Sequence, residues 1–136
     1  MEPVKEQVNG YLLDTHVLLW WLFDDPKLSD PAKDVIRAPE NTIIVSSASG
    51  WEIATKSRLG KLPHADDIVN NLPSLLQKAR FKVLAITMAH ALTAGALTGY
   101  HRDPFDRMLI AQGQIEQLPI ITSDRAFENY PVELLW

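Results

Sequence analysis

Five short apolar runs, separated by segments of helical length, set the tightest limit on how this chain folds. "YLL" (11–13), "TIIVS" (42–46), "FKVLAIT" (81–87), "LPIIT" (118–122) and "VELLW" (132–136) are too short for buried helices and read as strands. "THVLLWWLF" (15–23) follows the first run as a helix pressed into apolar surroundings. "SDPAKDVIRA" (29–38) opens with a capping residue and a proline, a helix-start signature. "SASGWEIATKSRLGK" reads as a helix ending at Gly60. "DDIVNNLPSLLQKA" is a helix kinked or split by Pro73. "MAHALTAGALTG" and "DPFDRMLIAQGQIEQ" supply two more helices, the second with Pro104 in its first turn. Strands alternating with helices predict an α/β domain with a mostly parallel sheet.

With 136 residues the chain has length for one domain and a real core. The longest apolar run, Val17 to Phe23, is far short of a membrane span. The polar start "MEPVKEQVNG" has no signal-peptide core, so a cytoplasmic protein is expected. No cysteine is present, which removes disulfides, thiolate metal sites and a cysteine nucleophile. A net charge of −4 argues against coating nucleic acid by charge alone, but not against gripping a strand at a small site.

Within this pattern, Asp14 interrupts the most apolar segment of the chain. A carboxylate beside buried surface is costly unless something pairs with it. In open parallel sheets, ligands sit beyond the carboxyl ends of the strands, where the winding reverses. Asp14 follows the first strand at that end, and Asp124 follows the fourth. Glu52 lies early in the helix after the second strand, and Asp103 and Asp106 open the helix before the fourth. Each acid also has a plain structural reading. Ser49 and Glu52 have the spacing of a capping box. Asp103 before Pro104 is a good N-cap, and Asp106 and Asp124 suit the first turn of a helix. Thr15 is itself able to cap the first helix, which leaves Asp14 without such a task.

Carboxylates gathered within about 4–6 Å repel one another by a few kcal/mol per pair at an effective dielectric near 20. A cation offsets that repulsion. An all-carboxylate site without sulfur or clustered imidazole suits a hard divalent ion, Mg²⁺ or Mn²⁺. His16, His64, His90 and His101 fall in no metal-ligand spacing and read as surface or packing residues, with His101 nearest the acids.

Four stretches, "YLLDTHVLLWWL", "VSSASGWEIATKSRLGKL", "HRDPFDRMLIAQG" and "PIITSD", resemble in this order the PIN domain, and most closely the VapC-type toxins of bacterial toxin–antitoxin pairs. The resemblance spans Tyr11 to Leu134. It leaves residues 1–10 as a flexible extension ahead of a single domain, 11–136. It implies a three-layer α/β/α fold with a five-stranded parallel sheet, the first strand central and the reversal between strands one and four. It further implies an endoribonuclease whose Mg²⁺ or Mn²⁺ is held by four acids, falling here on Asp14, Glu52, Asp106 and Asp124. Asp103 matches an additional acid of the "DPFDR" subgroup, as a ligand or acting through water. Thr15 and Ser123 take small-hydroxyl positions beside the site. Gly50 departs from the pattern, standing where a stronger helix former is expected just before "WEI".

Arg102, Arg107 and Arg125 each neighbour a site acid, and Lys56, Arg58 and Lys61 follow Glu52. Singly they read as solvated charge; together they suit contact with the RNA backbone, which positions a strand without reading its sequence. The seven apolar residues Val17–Phe23 cover every face of the first helix. At least one of Trp20 and Trp21 is therefore expected to face outward as a protein interface. The resemblance implies homodimerisation and capture by an antitoxin. Two other readings remain open from sequence. One is a PIN scaffold that binds without cutting. The other is a receiver-like or phosphatase-like signalling domain with Asp14 as phosphoacceptor.

Overall fold

The computed structural model describes residues 10–99 and 103–136. Its elements run β1 (Gly10–Leu13), α1 (Thr15–Leu22), α2 (Asp30–Arg37), β2 (Thr42–Ser46), α3 (Ser47–Arg58), α4 (Ala65–Ala79), β3 (Lys82–Leu84), α5 (Met88–Ala96), α6 (Pro104–Glu116), β4 (Ile120–Ile121), a 3₁₀ turn (Arg125–Asn129) and β5 (Leu134–Leu135). All strand pairs are parallel, in the order β3-β2-β1-β4-β5. The chain winds outward from β1 through β2 to β3, then returns to place β4 on the other side of β1. The crevice between β1 and β4 is therefore the reversal point.

Neighbouring strand residues face opposite sides of the sheet, and this divides the core in two. Leu13 and Ile121 join Val17, Leu18, Ile53, Ile68 and Leu76 on one face. Leu12 and Ile120 join Leu109, Ile110, Phe127 and Tyr130 on the other. Two apolar faces, each covered by helices, make the three-layer α/β/α arrangement. At Gly113 a Cβ would lie 3.0 Å from Ile120 Cδ1, so the absent side chain lets α6 sit closely on β4.

The order of elements matches the sequence pattern, while the last three strands are shorter than their apolar runs. β3 covers only Lys82–Leu84, and β4 only Ile120–Ile121. β1 starts one residue early, with Gly10 paired to Thr42. Pro73 lies inside α4, which runs as one helix rather than two. α2 starts as expected, with the Ser29 hydroxyl accepting from the Ala32 amide at 3.2 Å. Among the described residues, no helix is long and apolar enough to cross a membrane.

Gly50 sits inside α3 without breaking it. A Cβ there would meet only Leu72 Cδ2, at an ordinary 3.9 Å. Gly50→Ala should therefore stabilise the protein by about 0.5–1 kcal/mol, the usual helical difference between the two residues. Denaturant melts of the two proteins measure this directly.

Candidate active site

β1 delivers Asp14 to the reversal point. Its amide donates to the Ile121 carbonyl at 3.0 Å, and its Oδ2 accepts from the Thr122 hydroxyl at 2.7 Å. Asp14 is the residue before α1, yet its carboxylate caps nothing; it is turned across to β4 instead. It is only 5% exposed. Burial drives its pKa up and the nearby Glu52 charge adds to this, opposed by the Thr122 hydrogen bond and by His16. The charge that looked misplaced in the sequence thus has a polar partner 108 residues away.

Glu52 comes from the second turn of α3 and is 2% exposed. Its Oε2 pairs with the Lys56 ammonium one turn further on. Its Oε1 is buried with no hydrogen-bond partner among the described residues, a costly state for a carboxylate oxygen. The capping-box reading of Ser49 and Glu52 does not hold. Ser46 caps α3, accepting from the Ala48 amide at 3.0 Å, so the helix begins before Ser49. Ser49 instead accepts from the Thr15 hydroxyl at 2.9 Å, tying α1 to α3.

α6 brings the next two acids. Asp103 is its N-cap, with Oδ1 accepting from the amides of Phe105 at 2.9 Å and Asp106 at 3.2 Å. Asp106, half-buried, occupies the third helical position, where the positive end of the helix favours its charge. Trp51 and Phe105, each next to an acid in sequence, stack edge-on at 4.7 Å and join α3 to α6. Asp124 is exposed after β4; its Oδ1 accepts from the Ala126 amide at 2.9 Å, and its own amide donates to the Thr122 hydroxyl at 3.0 Å. Thr122 consequently links Asp14 to Asp124.

The hydroxyls fall differently from expectation. Ser123 is exposed, and Thr122, buried beside Asp14, takes the place given to it. Thr15 bonds Ser49 rather than a carboxylate. The register that pairs Leu13 with Ile121 sets the next residues, Asp14 and Thr122, side by side. That register was the missing signal.

The basic residues also divide. Arg107 is turned toward α5. Its guanidinium donates to the Ala94 and Leu97 carbonyls at 2.8 and 2.6 Å, closing the C-terminal end of α5. Lys56 lies within the acidic site. Burial weakens the hold on its proton, but the hydrogen bond and charge of Glu52, with the charges of Asp103 and Asp106, outweigh this and raise its pKa. Arg58, Lys61 and Arg125 are exposed, Arg125 beside a hollow of about 260 Å³ next to Asp124. Arg102 and His101 lie outside the described residues.

Trp20 and Trp21 are both half-buried. Trp20 stacks with Trp136 at 5.7 Å and Trp21 with Phe81 at 6.2 Å. Together with Asp24, Leu28, Lys33 and Arg37 they line a hollow of about 320 Å³.

Among the described residues, no three acids or histidines close on a common point as they stand. The donor chemistry nonetheless fits a hard divalent cation. Two buried carboxylates repel each other, and one oxygen has nothing to bond. The acids at the reversal point offer carboxylate oxygens, the donors such an ion prefers.

A parallel α/β/α sheet with acids at its switch point defines a narrow class, and the chain belongs to the PIN domain family, whose model matches residues 11–133. Ribonuclease VapC22 of Mycobacterium tuberculosis is 28% identical over 120 residues, covering 88% of this chain and 90% of that protein. Ribonuclease VapC16 of the same organism is 35% identical over 69 residues, 48% of this chain and 49% of its own. The VapBC2 structure from Rickettsia felis, bound to a DNA fragment from their promoter, superposes with a TM-score of 0.69 at 18% identity, over 93% of this chain and 97% of that one.

Proposed function

We propose that this protein is a Mg²⁺- or Mn²⁺-dependent endoribonuclease and the toxin of a toxin–antitoxin pair. The observation that carries the reading is the pair of buried carboxylates at the sheet reversal, with Glu52 Oε1 unpartnered. Membership of the PIN family and the ribonuclease names of its relatives support it.

Asp14, Glu52, Asp106 and Asp124 are the residues that would hold the ion, with Asp103 reaching it through water. The bound ion supplies a nucleophilic water and offsets charge on the phosphodiester and its leaving oxygen. Thr122 fixes Asp14 by donating to Oδ2, which would leave the other oxygen available to the ion. Asp103, bonded to two α6 amides, fixes the helix start and thereby the position of Asp106. Arg125, exposed beside Asp124, suits the RNA backbone. The PIN family match and the ribonuclease names of its relatives favour RNA cleavage over a phosphoacceptor role for Asp14.

Incubation of the purified protein with total RNA, with and without chelator, tests the reading. New RNA ends should appear only where divalent metal is free. Cleavage unaffected by chelator would contradict it.

The hollow beside Trp20 and Trp21 suits an apolar anchor from an antitoxin helix, and the toxin itself is proposed to be a homodimer. Loss of an aromatic anchor commonly costs about 2 kcal/mol of binding or more. Trp20→Ala and Trp21→Ala, each checked for folding, should weaken the complex on that scale. Two folded variants with unchanged affinity would place the groove elsewhere.

A further inference from the structure

We propose that Lys56 is the resident counter-ion of Glu52 in the acidic site, its ammonium holding Glu52 and offsetting the charge of the α6 acids when no divalent ion is bound and giving way when one enters. This rests on the metal-site reading above and adds a role for a residue of this chain.

An ordinary glutamate–lysine pair one helical turn apart lies on the surface with both groups hydrated, and contributes little. Here the glutamate is buried and the lysine is not: side-chain exposure is 2% for Glu52 and 27% for Lys56. The ammonium meets Glu52 Oε2 directly and also lies in the field of Asp103 and Asp106 from α6. One positive charge is thus shared between acids of two helices. Asp14 adds to the negative potential through its proximity to Glu52.

The ammonium satisfies only one Glu52 oxygen, and Oε1 stays buried without a partner among the described residues. A divalent ion offers twice the charge and can engage both. Lysine is suited to yield, because its charge sits on a flexible four-carbon stem whose exposed portion opens to solvent. Every electrostatic effect of Lys56 on the ion has the same sign. It screens the acids from one another without metal, and it repels the metal once bound.

The test is calorimetric titration of Mn²⁺ into the wild-type protein, Lys56→Met and Lys56→Arg, with thermal melts of each in chelator and in saturating Mn²⁺. Lys56→Met should bind Mn²⁺ about tenfold more tightly, the scale of removing one charge beside a partly screened ion. Lys56→Arg, which keeps the charge, should stay near wild type. In chelator Lys56→Met should melt below wild type, and Mn²⁺ should narrow or reverse the gap. A purely structural lysine would lower the melt in both conditions and leave affinity unchanged. Lys56→Gln carries the same expectation if the methionine variant does not fold. Equal or weaker Mn²⁺ affinity in the charge-removed variant overturns the counter-ion role alone. No Mn²⁺ binding by any of the proteins, wild type included, overturns the metal-site reading and this role with it.

Discussion

Asp14→Asn should reduce RNA cleavage by about 100-fold or more, the scale on which removal of one key transition-state stabiliser acts, while making the metal-free protein more stable. The two effects share a cause. Asp14 is buried, and burial together with Glu52 holds its pKa above the ordinary carboxylate value. The folded state therefore binds this proton more tightly than the unfolded chain does. Stability from that source is fully present below the ordinary carboxylate pKa and is lost as pH rises through the raised one. At neutral pH the wild-type protein bears the cost that this raised pKa imposes, whether as a buried charge or as proton uptake; asparagine bears neither. Its amide oxygen still accepts from the Thr122 hydroxyl, so the link to β4 persists. In chelator, the melting temperature of Asp14→Asn should exceed that of wild type at pH 7, and the two should converge at acidic pH. A variant that is less stable at both pH values would mean that the Asp14 charge is already compensated without metal.

The second large effect separates the two acids of "DPFDR". Asp106→Asn should retain the fold, since amide and carboxylate are nearly isosteric, while metal affinity and cleavage collapse by about 100-fold. Asp103 has a structural task, with its carboxylate bonded to two amides of α6. Asp103→Ala should cost about 0.5–2 kcal/mol of stability through the lost cap, with a smaller loss of activity. Asp103→Asn, which keeps capping ability, should fall between wild type and Asp103→Ala in melts. If Asp103→Asn abolishes metal binding while Asp106→Asn does not, the third ligand is Asp103.

The sequence makes the element order legible because strand and helix differ in length and period, and Asp14, Asp103, Asp106 and Asp124 stand at a strand end or helix start. Strand lengths are less legible, since an apolar run continues past the residues that pair. β4 pairs through two residues of a five-residue run. The site's framework of hydrogen bonds is set by contacts between distant segments. Thr122 and Ser123 are adjacent hydroxyls in sequence, and only the β1–β4 register decides which meets Asp14. Arg107 looks like a basic residue beside a site acid, but the C-terminal end of α5 packs close enough to take its guanidinium. Lys56 was visible as one of several cations after Glu52. What distinguishes it is the burial of its partner, a property of the packed α3.

The central claim is that cations held by these acids switch the nuclease on, and one titration tests it most directly. Protein stripped with chelator is returned to graded Mn²⁺, and bound metal and initial RNA cleavage rate are measured on the same samples. The expected result is a rate near zero without metal that rises in step with occupancy, with Asp14→Asn staying low throughout. A rate that is independent of occupancy, with Asp14→Asn as active as wild type, would contradict it.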